Sequence, residues 1–231
     1  MSFYLLRIVA LLTVLITTTF PPHTPAAENI SELVNRSGMQ RMLSQRIAKA
    51  YFYLGNDISV RESKLQMKMA LDRFKKNHTV LKANVEDMET KDLLSIVEET
   101  FSEYRDLVNT PYSQESATRV LELSDILLKV CHSVVLNLEA KSGLHVDHIV
   151  NISGRHRMLS QRVCKFYIAY QTGFRDDNTV QNLINTVEEF ESGLKELIDE
   201  ERNNKEIDAL LAKSKKEWER ISPYFLKVRE G

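Results

Sequence analysis

The sequence predicts an all-α protein, built as antiparallel helical bundles from two pseudo-symmetric tandem copies. Three observations carry this. Apolar residues recur at helical spacing, and no segment alternates long enough to suggest a sheet. Only 7 glycines and 5 prolines punctuate 231 residues, so turns are few and helices long. One segment also occurs twice: 33–55 reads LVNRSGMQRMLSQRIAKAYFYLG and 149–171 reads IVNISGRHRMLSQRVCKFYIAYQ.

Asn35, Ser37, Gly38, Arg41, Met42, Leu43, Ser44, Gln45, Arg46, Lys49 and Tyr51 recur at a constant offset of 116 residues. Their counterparts are Asn151, Ser153, Gly154, Arg157, Met158, Leu159, Ser160, Gln161, Arg162, Lys165 and Tyr167. Beyond the motif, Phe74 matches Phe190 and Leu81 matches Leu197. After one inserted residue, Leu93-Leu94 match Leu210-Leu211, and Phe101 matches Trp218. Two copies are too few for a solenoid. A tandem duplication is expected, with one helical copy over 28–142 and the second over 143–231.

The elements follow in order. A first helix over 30–54 starts at Asn29 or Ser31 as N-cap, has Glu32 in its first turn, and stops at Gly55-Asn56-Asp57. A second over 60–83 carries the stripe Leu65, Met69, Phe74 and Leu81. A third over 90–108 is broken by Asn109-Thr110-Pro111. A fourth over 113–140 keeps Leu121, Ile126, Leu127, Val130, Val134 and Leu138 apolar and ends near Ser142-Gly143. The fifth, over 146–171, holds the second motif. A sixth covers 178–199 and a seventh 205–227, with a bend expected at Pro223. Short loops between long helices imply antiparallel neighbours.

The N-terminus reads as a targeting segment. Arg7 is the only charge before Glu28, and 8–20 is an apolar stretch of 13 residues ended by Pro21-Pro22. A membrane-spanning helix takes about 20 residues. The stretch fits a secretory signal over 1–27 with small residues at 24–27 for cleavage, and an uncleaved N-terminal anchor is the alternative. No later segment is apolar enough to cross a membrane, so a periplasmic or secreted protein is expected. An exported compartment permits a disulfide between Cys131 and Cys164. In a hairpin turning near Gly143 the two would sit about 13 Å apart along the helix axes, which favours two buried thiols.

At 43% hydrophobic and 27% charged residues, the chain can bury a core. A net charge of −1 gives no reason to expect a nucleic-acid partner. The six histidines, at 23, 78, 132, 145, 148 and 156, lack metal-ligand spacing. No nucleophile motif, phosphate loop or dinucleotide fingerprint is present. The expectation is a non-enzymatic protein without metal or cofactor.

On a helix, Val34, Gly38, Arg41, Gln45 and Ala48 share one face, while Leu43, Ile47 and Leu54 lie on another that can enter the core. Gly38 allows close approach of a backbone or ligand. Arg41, one turn on, offers a planar fork of donors suited to small oxyanions. Ser37 and Gln45 add neutral donors, and Gly154, Arg157, Gln161 and Ser153 repeat the frame. Neither motif helix carries an acid from 33 to 56 or from 148 to 175, whereas Arg36, Arg41, Arg46 and Lys49, then Arg155, Arg157, Arg162 and Lys165, concentrate positive charge. Structural readings stand beside this. Arg46 and Arg162 can pair with acids on neighbouring helices, and Lys49 and Lys165 can snorkel to solvent. Met42 and Met158 belong in the core, and His156 in place of Gln40 reads as surface or rim.

The pattern N-x-S-G-x-x-R-M-L-S-Q-R-x-x-K closely resembles the motif of PilJ-type sensor domains, found at the N-terminus of type IV pilus methyl-accepting chemotaxis transducers. A related box occurs in the periplasmic domain of nitrate/nitrite sensor kinases. The resemblance implies a periplasmic helical bundle that binds a small ligand. In the nitrate-sensing members the first motif arginine of each subunit in a dimer contacts nitrate. That role would fall on Arg41 and Arg157, with Gly38, Gly154, Ser37, Ser153, Gln45 and Gln161 around them and Arg46, Arg162, Asn35 and Asn151 secondary. With both copies in one chain, the anion site can lie within the chain or between the subunits of a homodimer. The 231 residues show no kinase or methyl-accepting module, so a membrane-bound sensor or transducer is the expected partner. The alternative is a structural or interaction module of the cell envelope or type IV pilus system with no small-molecule ligand.

Overall fold

The computed structural model describes residues 30–142 and 148–230. The expected signal segment and anchor, the N-cap at Asn29, the break at Gly143 and the start of the fifth helix at 146 lie outside them.

Among the described residues there are seven α-helices and no strand. They are α1 (Ile30–Gly55), α2 (Val60–Asn84), α3 (Met88–Val108), α4 (Gln114–Ser142), α5 (His148–Gln171), α6 (Asp177–Ile198) and α7 (Lys205–Leu226). A short 3-10 turn, Lys227–Glu230, follows. The all-α expectation holds. Pro223 is accommodated inside α7. Side-chain caps start four helices and satisfy amides that the first turn leaves unpaired, Ser113 accepting from the Ser116 amide at 3.0 Å at the start of α4. Asp87 accepts from the Thr90 amide at 2.8 Å, Asp176 from the Thr179 amide at 3.0 Å, and Asn204 from the Ile207 amide at 2.9 Å.

The first copy closes as a four-helix bundle. α1 packs against α2 and α4, and α4 packs against α3. Phe74 of α2 stacks on Phe101 of α3, with ring centroids 4.1 Å apart. At the α1 end the backbone of Gly55 presses against the Tyr112 ring, leaving no room for a Cβ. In the second copy α5 packs on α6 and α6 on α7, and no helix among the described residues stands where α4 stands in the first.

The motif helices pack on each other. Arg41 meets Asn151, the Lys49 charge acts on Cys164, and the Phe52 ring lies 5.4 Å from that of Phe174. Partner numbers rise together, so α1 and α5 run parallel and close to the register of the repeat.

α1 is therefore enclosed by α2, α4 and α5. Its core face (Leu43, Ile47) and its motif face (Val34, Arg41, Gln45, Ala48) are both buried. A helix buried on every side normally reads as apolar all round. This one hides polar residues by satisfying several within the protein: Ser37 donates to the Val34 carbonyl at 2.9 Å and Ser44 to the Arg41 carbonyl at 2.8 Å. α5 is a shared wall, giving Ile168 and Ala169 to the first core and Val163, Phe166 and Tyr170 to the second.

Candidate functional site: a cationic cavity beside Arg41

Arg41 is the only fully buried arginine among the described residues, at 4% exposure. Its side chain folds back over Gly38, where a Cβ would sit 3.4 Å from Nη2. A methyl group there would be in ordinary contact with the guanidinium. Nη1 lies 3.1 Å from His132 Nδ1 on α4. Arginine can only donate, so the imidazole accepts there and its proton is on Nε2. Nη2 donates to Asn151 Oδ1 on α5 at 3.4 Å, and Nε is buried with no partner among the described residues. Burial lowers the Arg41 pKa, with Glu139 and Cys131 opposing. An arginine keeps its charge through such shifts.

Arg41 forms one wall of a cavity of about 390 Å³ between α1, α4, α5 and α6. Asp125, Leu128, Lys129 and His132 line it from α4, and Glu189 from α6. Asn151, Ile152, Arg155, Met158 and Arg162 line it from α5. Both carboxylates are already engaged. Asp125 receives Lys165 Nζ at 2.7 Å and Glu189 receives Arg155 Nη2 at 2.8 Å. Cations outnumber acids in the lining by two, which suits an anion.

The other motif residues divide. Arg157 is exposed and lies over Gly154, 3.8 Å from where a Cβ would be. It does not line the cavity that Arg41 lines. Gln45 is spent on structure, its Nε2 donating to the Ser124 carbonyl at 2.8 Å, while Gln161 donates to Ser160 at 3.3 Å and leaves Oε1 buried without a partner. Ser37 is buried and Ser153 half-buried. Asn151 joins Arg41, whereas Asn35 is exposed and reaches Glu32 at 3.4 Å. Arg162 enters the cavity, donates to Asn182 at 3.1 Å and stands 3.9 Å from Asp125. Arg46 is half-buried with no ion pair among the described residues, so the expected acidic partner is not found there.

Three expectations are corrected. Lys165 does not snorkel: it is fully buried between Asp125 and Ser124, 4.0 Å over the Phe166 ring, and burial pulls its pKa down to about 8 against the Asp125 charge. The Gln40 position is not rim: Gln40 is fully buried, and His156 is half-buried and stacked on Phe190 at 3.8 Å. Met42 is only partly buried, against the edge of the core. Both cysteines are free thiols, Cys131 fully buried and Cys164 less so.

Recurrence between the copies points past Asp125, Lys129, His132 and Arg155. The first three lie on α4, which has no counterpart among the described residues, and Arg155 matches Met39. The acid-free run over 148–175 does contain Arg155.

Residues 24–126 and 140–230 each match the family model described as type IV pili methyl-accepting chemotaxis transducer N-term, PilJ. The chain belongs to this family, with two tandem matches. The family is a periplasmic sensory region of transducers that act in membrane chemotaxis signalling. No curated protein and no solved structure matches the chain. Among the described residues no helix is long and apolar enough to cross a membrane, and no group of three or more His, Cys, Asp or Glu side chains is placed to hold a metal.

Proposed function

We propose that the protein is a non-enzymatic periplasmic sensory bundle that holds a small oxyanion in the cavity beside Arg41 and passes its state to a membrane-bound transducer or sensor. Nitrate and nitrite are the first ligands to test, on the strength of the motif resemblance. The observation that carries the reading is the buried Arg41 guanidinium on a cavity with two cations in excess. The family membership supports the sensory role. An anion held between α1, α4 and α5 favours the packing in which Arg41 and the α5 cations converge, so occupancy shifts the population of helix arrangements.

Calorimetric titration of the folded protein with nitrate and nitrite, against chloride and sulfate, tests this. Saturable binding is expected, with Arg41→Gln abolishing it while the helical circular dichroism persists. Arg41→Lys, which keeps the charge and loses the fork, is expected to bind more weakly. Unchanged affinity in both variants would sink the assignment. A second reading, an envelope interaction module, draws on Ile207, Leu210 and Tyr224, which lie exposed along one side of α7. Absence of anion binding together with capture of an envelope protein that Leu210→Glu prevents would favour it.

A further inference from the structure

The cavity beside Arg41 is built for something longer than nitrate. A buried water needs only about 10–15 Å³ of such space, and a planar four-atom anion needs little more, yet this cavity measures about 390 Å³.

Its charge is also spread along its length. One end holds Arg41 with His132 and Asn151, each of which it touches. The other holds Arg162, 3.9 Å from Asp125. From Asp125 to His132 on α4 is a rise of about 10 Å at the helical pitch, and from Asn151 to Arg162 on α5 about 16 Å. Between the ends the lining includes the apolar side chains of Leu128, Ile152 and Met158. Both terminal guanidiniums keep unspent donors: Nε of Arg41 and Nε of Arg162 are buried without a partner among the described residues. The excess of two cations matches a dianion.

The geometry points to a short aliphatic dicarboxylate as the ligand class: one carboxylate on Arg41, the other on Arg162, and the methylenes against Leu128, Ile152 and Met158. A four-carbon diacid spans roughly 5 Å between its outer oxygens. Hydrogen bonds of about 2.9 Å at each end bring the guanidinium-to-guanidinium distance to about 10 Å. A monoanion leaves one end unmet and the apolar middle wet. This inference rests on the anion-binding reading of the cavity and narrows it.

The test is titration of the full-length protein with succinate and glutarate beside acetate and nitrate. Succinate or glutarate is expected to bind at least about tenfold tighter than acetate, because a second charged hydrogen-bonded contact is added. Arg162→Gln, in a protein whose helical circular dichroism persists, is expected to bring the dicarboxylate down towards the acetate level while leaving acetate binding unaltered; full dicarboxylate affinity in that folded variant would overturn the inference. Equal affinity for acetate and succinate, or nitrate binding with no dicarboxylate binding, would overturn the inference and leave the anion site standing. No binding of any of the four by the folded protein would overturn both.

Discussion

Arg41 and Arg157 are the same residue of the same motif in two environments. Arg41 is buried because α4 lies over it and supplies His132. Arg157 is exposed, with no such helix above it among the described residues. Identity of side chain set the donor chemistry, and the neighbouring element decided whether that chemistry faces a cavity or water. His132 makes the cavity pH-sensitive. Burial lowers its pKa first, and the charges of Arg41 and Arg155 lower it further. His156, stacked on Phe190, is brought down to about 4 by burial, and burial also lowers His78. In each case the unfolded chain takes up a proton before the folded one does. The stability these groups contribute is complete above the unfolded histidine pKa of about 6.5 and is lost as pH falls towards the folded values. Urea unfolding of the ligand-free protein should therefore show stability declining from about pH 7 to pH 4. His132→Gln should shallow that decline. Anion affinity should move the opposite way, rising as pH falls, because a protonated His132 adds a cation to the cavity. A flat affinity profile would remove His132 from the site.

At the scale of elements, α4 is tied to α5 by Lys165. Its ammonium, wholly buried, donates to Asp125 Oδ1 and Ser124 Oγ of α4, and the same Ser124 presents its carbonyl to Gln45 of α1. One turn of α4 thus joins both motif helices. Removing the ammonium strands the half-buried Asp125 carboxylate and opens a void, so Lys165→Ala should cost about 3 kcal/mol in chemical denaturation. Lys165→Met, which refills the volume, should recover a good part of it. Wild-type stability in Lys165→Ala would show that the clamp contributes nothing. The helices themselves were readable from apolar spacing and from sparse turn-formers such as Gly55 and Pro111, and their edges fell within a few residues of expectation. Lys165, Gln40 and Ser44 were not readable as interior residues. Their burial comes from helices packing on several sides of the motif, which no local pattern encodes. The cavity was half-legible for the same reason: Arg41 announced itself by repeating, whereas His132 and Asp125 become site residues only once α4 lies against α5.

Across the whole molecule, the repeat makes a parallel, in-register pair of motif helices, the arrangement a two-fold dimer would produce, inside one chain. The halves are unequal. Five helices, α1 to α5, contribute to the first core. The second rests on three, and α7 contributes only Trp218 and Phe225 to the residues buried along its length. α5 belongs to both cores and supplies more of the cavity wall than any other helix, so a ligand there touches the element that couples the halves. Amide exchange follows local opening, and opening is easiest where few apolar contacts must be broken. The amides of α7 should exchange first and those of α1 last. A bound anion should slow exchange most in the half of α5 from Asn151 to Arg162, with less effect on α7, which lines no part of the cavity. Hydrogen-exchange mass spectrometry with and without ligand reads all three. Protection spreading from α5 into both α1 and α6 would mean that occupancy tightens the joint between the copies, the change a transducer could sense. Protection confined to α4 would mean that the ligand sits on one helix and leaves the joint untouched.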